Sequence, residues 1–406
     1  MPVQKSDIER QTLFERAESQ LARIAPQFSR VRRHIHQNPE LSGKEFATTT
    51  YVSKRLGAGG VPHRVAPGER GIITEIVAAE ESDASVVAIR ADIDALPIQE
   101  ESEVPYRSKK PGVMHACGHD AHAAILLGTT LALYRSGPLP VGWRSIFQPS
   151  EEIGHGARDM LSHGALEGVN AIIALHVDPT LDVGNVGITP GPRTAYCQDF
   201  VIEVRGRGGH GARPHATVDP IAAAAHLITL IYQAIPRQTD ARDPIVVSIG
   251  LVNGGHAANV IPDLVTMKGT IRTLGPVIAA HGRERLERLC SGVAQAFGAK
   301  ISPTFDDLLP GLENDPRIAM RSIAAARALL GPDKVATNDR PSMGAEDFAD
   351  YLAFVPGCMV TLGVKSSGRK VTPLHTSTFD IDERALLIGA RLLTRVLLEW
   401  PREKAN

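Results

Sequence analysis

Met114-His115-Ala116-Cys117-Gly118-His119-Asp120-Ala121-His122 packs a thiol, three imidazoles and a carboxylate just ahead of an apolar helical run, Ala123 to Leu133. Only Gly118 separates Cys117 from His119, so both reach one ion if the glycine lets the turn close. The same local pattern also admits a nucleophilic cysteine or an inert buried thiol. Partners elsewhere in the chain must decide. Glu151-Glu152 follows the apolar run Trp143 to Phe147, His176 follows Ala171 to Leu175, and His375 stands in a loop before the closing helix. Cys117, His119, Glu152, His176 and His375 thus offer five side-chain ligands, enough for two divalent ions sharing one bridging group. Thiolate and imidazole favour zinc or a similar first-row ion, and carboxylates also admit manganese. Two neighbouring ions can clamp a hydroxide and a substrate oxygen, which suits hydrolysis. In the glutamate pair, one carboxylate would bind metal while Glu151 acts as general base. Asp92 would orient a liganding histidine, with a strand-end cap as the plain alternative. Asp94, His115, His122 and His155 receive no assigned role.

The elements that must position these residues alternate between strand and helix. A capping box at Ser6 to Glu9 opens an amphipathic helix to about His34, and Glu45 to Leu56 reads as a second helix. Val86-Val87-Ala88-Ile89 is continuously apolar, as a strand buried on both faces would be. Further strands are expected at Trp143 to Phe147, Ala171 to Leu175 and Gly357 to Val364, with helices between them and a last one from Asp382 to Trp400. Such alternation predicts an α/β fold, a mostly parallel sheet with helices on both faces. Asp92, Glu151, Glu152 and His176 each lie just past the C-terminal end of an expected strand, the edge where open α/β sheets bind ligands.

Near Gly191-Pro192 the composition shifts. Strands at Asp199 to Arg205, Pro244 to Leu251 and Asn259 to Thr273, with helices at Pro220 to Ala234 and Val277 to Phe297, predict a smaller α+β domain with its own core. Residues 1–190 and 308–406 then form one discontinuous domain, and 191–307 an insertion in it. Gly206 to His215 is glycine-rich and basic but lacks the lysine and hydroxyl residue of a phosphate loop. A flexible substrate loop and a tight strand-to-loop transition are the two readings. Asn259 and Arg272 bracket the last strand, where an arginine could grip a carboxylate in a two-pronged contact.

Length and composition bound the rest. A chain of 406 residues exceeds one hydrophobic core. Its formal charge of −1 and 4% aromatic content argue against nucleic acid and against a polybasic membrane anchor. No apolar stretch is long enough to span a bilayer, and the charged N-terminus has no signal-peptide core. Cys117, Cys197, Cys290 and Cys358 are scattered, without a disulfide framework, so a cytoplasmic setting is expected.

Taken together, several motifs resemble the zinc-dependent aminoacylase and carboxypeptidase family in its amidohydrolase branch, which includes hippurate hydrolases, indole-acetyl-amino-acid hydrolases and N-acyl-amino-acid amidohydrolases. They are Arg90-Ala91-Asp92-Ile93-Asp94-Ala95-Leu96-Pro97, Met114 to His122, Gln148 to Glu152, Leu175-His176-Val177, Gly208 to His215, Asn259 to Asp263, Met343 to Phe348 and Leu374-His375. The resemblance implies a catalytic domain holding two metal ions, zinc or manganese, and an inserted lid domain that forms a homodimer. By motif match Cys117, His119, Glu152, His176 and His375 become metal ligands with Cys117 bridging, Glu151 the general base and Asp92 an orienter outside the ligand set. His210 resembles a lid histidine that reaches the neighbouring subunit's site to steady an oxyanion. Asn259 and Arg272 resemble contacts to the substrate's carboxylate end. Arg90 replaces a histidine, and Cys117 an aspartate, of the wider family, as the amidohydrolase branch does. The proline common after the last histidine is missing from Leu374 to Asp380.

The reading is a metal-dependent amidohydrolase acting on small N-acyl amino acids, with a dipeptidase, a carboxypeptidase or an N-acetyl-diaminopimelate deacetylase as neighbouring alternatives. A cysteine hydrolase attacking through Cys117, and a non-catalytic dimeric binding protein with a structural metal, are the alternatives of other classes.

Overall fold

The computed structural model describes residues 5–77, 85–337, 340–368 and 370–401 and, of 5–11, the backbone only. The side chains of the Ser6 to Glu9 capping box lie outside the described residues. Two compact units emerge: Met1–Gly191 with Glu313–Asp339 and Asp350–Asn406, and Pro192–Leu312 with Arg340–Ala349.

The first unit is built on eight strands in the order His63–Val65, Ile72–Thr74, Gly142–Gln148, Val86–Asp92, Ala171–Asp182, Gly357–Lys365, Val186–Gly187 and Val335–Ala336. The four long central strands run parallel. The short strands flanking them pair with them antiparallel. Parallel neighbours require crossover connections and cover from helices, and the central strands are accordingly buried along most of their length. One crossover is the helix His119–Ser136, buried along nearly its whole length. It packs on the strands and is wrapped by the helices Lys5–Gln37 and Arg384–Leu398. A helix apolar all round survives only in such a place.

The first helix runs one turn beyond the expected His34, to Gln37, because its last turn is tied down by charge. Arg32, fully buried, donates through Nε to Asp120 (2.9 Å), through Nη2 to Asp380 (2.6 Å) and through Nη1 to Glu383 (3.3 Å). His36 Nδ1 lies 2.8 Å from Asp120 Oδ2 and its Nε2 3.2 Å from Glu100 Oε1. Both ring nitrogens face carboxylate oxygens, which only accept, so the ring is an imidazolium with two donors. This hub joins the first helix, the first turn of His119–Ser136 and the segment after His375.

Two strands differ from their expected extents. Ala171–Asp182 continues well past Leu175, so His176 lies inside it; pairing with Val86–Asp92 nevertheless stops at Ala174, leaving that side of the strand open beyond it. The run from Asn259 to Thr273 is broken at Pro262-Asp263 into Val260–Ile261 and Leu264–Thr273. Proline removes a ladder donor, which accounts for the break.

In the second unit, four antiparallel strands stand in the order Ile245–Gly254, Leu264–Thr273, Tyr196–Arg205 and Lys300–Phe305. Alternate residues, Phe200, Ile202, Val204, Val265 and Met267, enter a core shared with the helices Pro220–Arg237 and Pro276–Phe297. Asp219 caps the first of these, accepting from the Ile221 and Ala222 N–H groups. Segment 340–349 joins this unit through the bonds Ser342 N–H to Arg193 O and Ala195 N–H to Gly344 O, a placement no sequence period reveals. Among the described residues no helix is long and apolar enough to cross a membrane.

The hub has a pH signature. Burial works to lower the His36 pKa, but Asp120 and Glu100 outweigh it and raise it from 6.5 to about 9. A raised pKa stabilises fully below the unfolded value and is lost as pH climbs through the folded one. The melting temperature should therefore decline between pH 6.5 and about 9, and H36Q should flatten that decline; an unchanged slope in H36Q refutes the assignment.

Candidate metal centre

The expected ligands converge at the C-terminal edge of the parallel strands. Cys117 Sγ lies 3.6 Å from His176 Nε2 and 3.4 Å from His375 Nε2. His375 Nε2 is 3.5 Å, and His119 Nε2 3.8 Å, from Glu152 Oε1. Two sets of three donors result, Cys117/His119/His176 and Cys117/Glu152/His375, each with its atoms within 4.8 Å of one another. Cys117 belongs to both.

Local backbone explains the convergence. Gly118 has φ +85°, and a side chain there would overlap Val177, so only glycine lets Cys117 and His119 face the same point. Ser150 and His375 also hold left-handed backbone, at φ +60° each, although neither is glycine. Ser150 is fixed by its N–H donating to Glu45 Oε1 (2.8 Å) and its Oγ accepting from the Gly43 N–H (3.0 Å). His375 is fixed by its N–H bond to Ala116 O (2.8 Å), which ties its loop to the cysteine turn without the missing proline. Strained positions held by their surroundings cluster at functional sites.

The donor chemistry fits divalent cations. His176 Nδ1 donates to Val177 O (2.8 Å), which leaves the Nε2 lone pair facing Cys117. His119 Nδ1 lies 3.0 Å from Asp94 O and 3.2 Å from Asp94 Oδ1, so Nε2 is the ring nitrogen turned toward the other donors. His119 Nε2 and Glu152 Oε1 are buried with no hydrogen-bond partner. A buried polar atom without a partner costs free energy unless an ion or water completes it. Burial disfavours a charged His119, yet Asp92, Cys117 and Asp94 outweigh it and raise its pKa, marking a negative potential at this point. Burial also pushes the Cys117 thiol well above its usual range, so a free attacking thiolate is disfavoured whereas a coordinating cation would ionise it.

Around these donors stand residues with other tasks. Glu151 Oε2 is 3.9 Å from His119 Nε2, within the same acidic group as Glu152. Asp92 Oδ1 is 2.6 Å from His122 Nδ1 and its Oδ2 accepts from Arg90 Nη1 at 2.7 Å, while the same Oδ2 lies 3.8 Å from His119 Nε2. Val177 N–H donates to His122 Nε2 (3.0 Å), so Nδ1 carries the proton given to Asp92. Burial lowers the His122 pKa to about 4 against the pull of Asp92, which keeps the ring neutral. His115 is buried and neutral too, and His155 is exposed at the start of Gly156–Ser162.

In the second unit, His210 and Asn259 share one small ladder. Gly209–His210 pairs with Val260–Ile261, and the Gly211 N–H donates to Asn259 O at 2.8 Å. A side chain at Gly208 would strike Ile261 O, so the glycine run serves tight backbone packing rather than a loose loop. Ala212 N–H donates to His210 Nδ1 (3.1 Å), which places the proton of the neutral ring on Nε2. Arg272 stands near the other end of Leu264–Thr273, about 27 Å along the strand from Leu264, and donates to Met343 O at 3.0 Å. The hub residues Arg32 and Asp120, Glu45, which holds Ser150, and Ser42, whose Oγ bonds Asp94 Oδ2 at 2.7 Å, are contributions that residue spacing did not indicate.

Comparison with known proteins agrees with this geometry. The model for "Peptidase family M20/M25/M40" matches residues 88–399. The N-acetyl-L-cysteine deacetylase of Bacillus subtilis is 37% identical over 92% of this chain and 88% of its own. Thermostable carboxypeptidase 2 of Saccharolobus solfataricus is 36% identical over 93% of this chain and 96% of its own. Among solved structures, the Bacillus subtilis YXEP protein, described as a dinuclear metal binding peptidase from the M20 family, superposes with a TM-score of 0.79 at 34% identity, covering 94% of this chain and 98% of that one. With its donors grouped in two sets around one shared sulfur, the chain belongs to peptidase family M20/M25/M40 and is a metal-dependent hydrolase with places for two divalent ions.

Proposed function

We propose that the protein hydrolyses the amide bond of small N-acyl-L-amino acids, releasing a carboxylic acid and a free amino acid. The observation that carries the reading is Glu151, whose Oε2 lies 3.9 Å from His119 Nε2, next to the Cys117/His119/His176 and Cys117/Glu152/His375 sets but in neither of them. A structural metal site has no use for such a base. When bound, the ions supply Lewis acidity toward a carbonyl oxygen and a water molecule. Cys117, His119, Glu152, His176 and His375 hold them; zinc suits the thiolate and imidazoles, and manganese the carboxylate. Glu151 accepts a proton from the attacking water and returns it to the departing nitrogen. Asp92, held by Arg90 and His122, keeps its charge directed at His119.

His210, with its proton on Nε2, is a donor suited to a developing oxyanion. Asn259 travels with it on the same ladder and, with Arg272, is assigned to the carboxylate end of the substrate. We assign the unit Met1–Gly191, Glu313–Asp339 and Asp350–Asn406 to catalysis, and the unit Pro192–Leu312 with Arg340–Ala349 to a lid and dimer role. Homodimer formation is supported by the strand Ile245–Gly254, an unpaired sheet edge with Val246, Leu251 and Val252 exposed. Four free buried thiols suit a cytoplasmic setting. The carboxypeptidase relative favours peptide cleavage as a second reading.

E151Q should retain both ions and lose about 10²- to 10⁴-fold in kcat; full turnover in that variant rejects the mechanism. Metal-loaded protein offered N-acetyl, N-benzoyl and indole-acetyl amino acids, N-acetyl-diaminopimelate and unblocked dipeptides should release amine fastest from the acyl amino acids. Preference for dipeptides would replace the first reading with the second. Co-expressed E151Q and H210A chains should form mixed dimers with activity that neither variant shows alone. Dimers that stay inactive would remove His210 from the neighbouring site.

A further inference from the structure

Asp94 is buried two residues past the strand Val86–Asp92, and its carboxylate oxygens serve different segments. Oδ1 lies 3.2 Å from His119 Nδ1, alongside Asp94's own carbonyl oxygen at 3.0 Å. Oδ2 accepts from the Glu152 backbone N–H at 3.0 Å and from Ser42 Oγ at 2.7 Å. His119 belongs to one set of ion donors and Glu152 to the other, while Asp94 itself belongs to neither. One side chain thus grips a member of each set from behind.

Neither main donor can turn round. A backbone N–H only donates. His119 Nδ1 must also donate, because the Asp94 carbonyl beside it only accepts. Both carboxylate oxygens are therefore committed as acceptors, and the ring of His119 and the turn holding Glu151-Glu152 share one rigid reference. Ser42 differs: its hydroxyl rotates and can be donor or acceptor.

We propose that Asp94 is a positioning residue that couples the two ion sites, so that the affinity of both depends on its carboxylate. The proposal rests on the two-ion reading and goes beyond it, since it concerns a residue that offers no atom to either ion. Asparagine separates this role from packing. It has the same shape but only one acceptor, so its NH2 group must confront either His119 Nδ1–H or the Glu152 N–H. Loss of such an outer partner typically costs 10- to 100-fold in metal affinity.

The test uses full-length metal-free wild type, D94N and S42A, checked for fold by circular dichroism. Each is titrated with Co²⁺ in competition with a chelator, reading bound ions per chain and the cobalt–thiolate absorption of Cys117. D94N should weaken both ions by about 10- to 100-fold, and S42A should change neither by more than a few-fold. If D94N does not fold, D94A, which relieves crowding yet supplies no side-chain acceptor, carries the same expectation. Wild-type affinity at both sites in the Asp94 variant, or weakening confined to one site, overturns the coupling. A wild type that binds fewer than two ions overturns the two-ion reading instead, which keeps the two failures distinct.

Discussion

Negative charge and lone pairs gathered away from water are tolerable only with compensation, and this constraint governs the first unit. Cys117, Glu152, Asp92 and Asp94 approach one another at the end of the sheet, with His119, His122 and His176 between them. The two aspartates behind the centre are met by protein donors: His122 and Arg90 for Asp92, Ser42 and the Glu152 N–H for Asp94. The inward atoms, His119 Nε2 and Glu152 Oε1, have no such partner. Cations at the centre would meet these two atoms, and their charge would repay the desolvation of the donors.

Directing five donors inward from separate segments requires backbone that regular structure does not supply. Three left-handed residues do this: Gly118 inside the cysteine turn, Ser150 before the glutamate pair and His375 as a donor itself. Glycine meets the demand without strain. Serine and histidine do not, and each is held by bonds from a different part of the chain, Glu45 and Gly43 for Ser150 and Ala116 for His375. Strain of this kind persists only where the surroundings over-determine it.

Much of this was legible in the sequence, for a specific reason. Donors placed directly after apolar strands are arranged by the strands themselves, so the meeting of Glu151, Glu152 and Asp92 at one sheet edge could be expected from pattern alone. Cys117 and His119 were readable because one glycine fixes their relation. What spacing could not show was pairing across long separations. His36 and Asp120 are 84 residues apart, and Arg32 and Asp380 are 348 apart. The break after Ile261 was hidden for another reason: an apolar run with one proline reads as a continuous strand, yet Pro262 splits it. Asp94 was left open because a carboxylate near a strand end looks alike whether it caps, solvates or braces.

The pairing of Arg32 with Asp380 and Glu383 spans nearly the whole polypeptide. During synthesis the N-terminal helix leaves the ribosome on the order of tens of seconds before its acidic partners, at ordinary elongation rates. His375 emerges equally late. The second unit has its four-stranded sheet in hand well before then and awaits only the segment Arg340–Ala349. Assembly of the first unit, and with it the gathering of the five donors, thus waits for the segment that carries His375, Asp380 and Glu383.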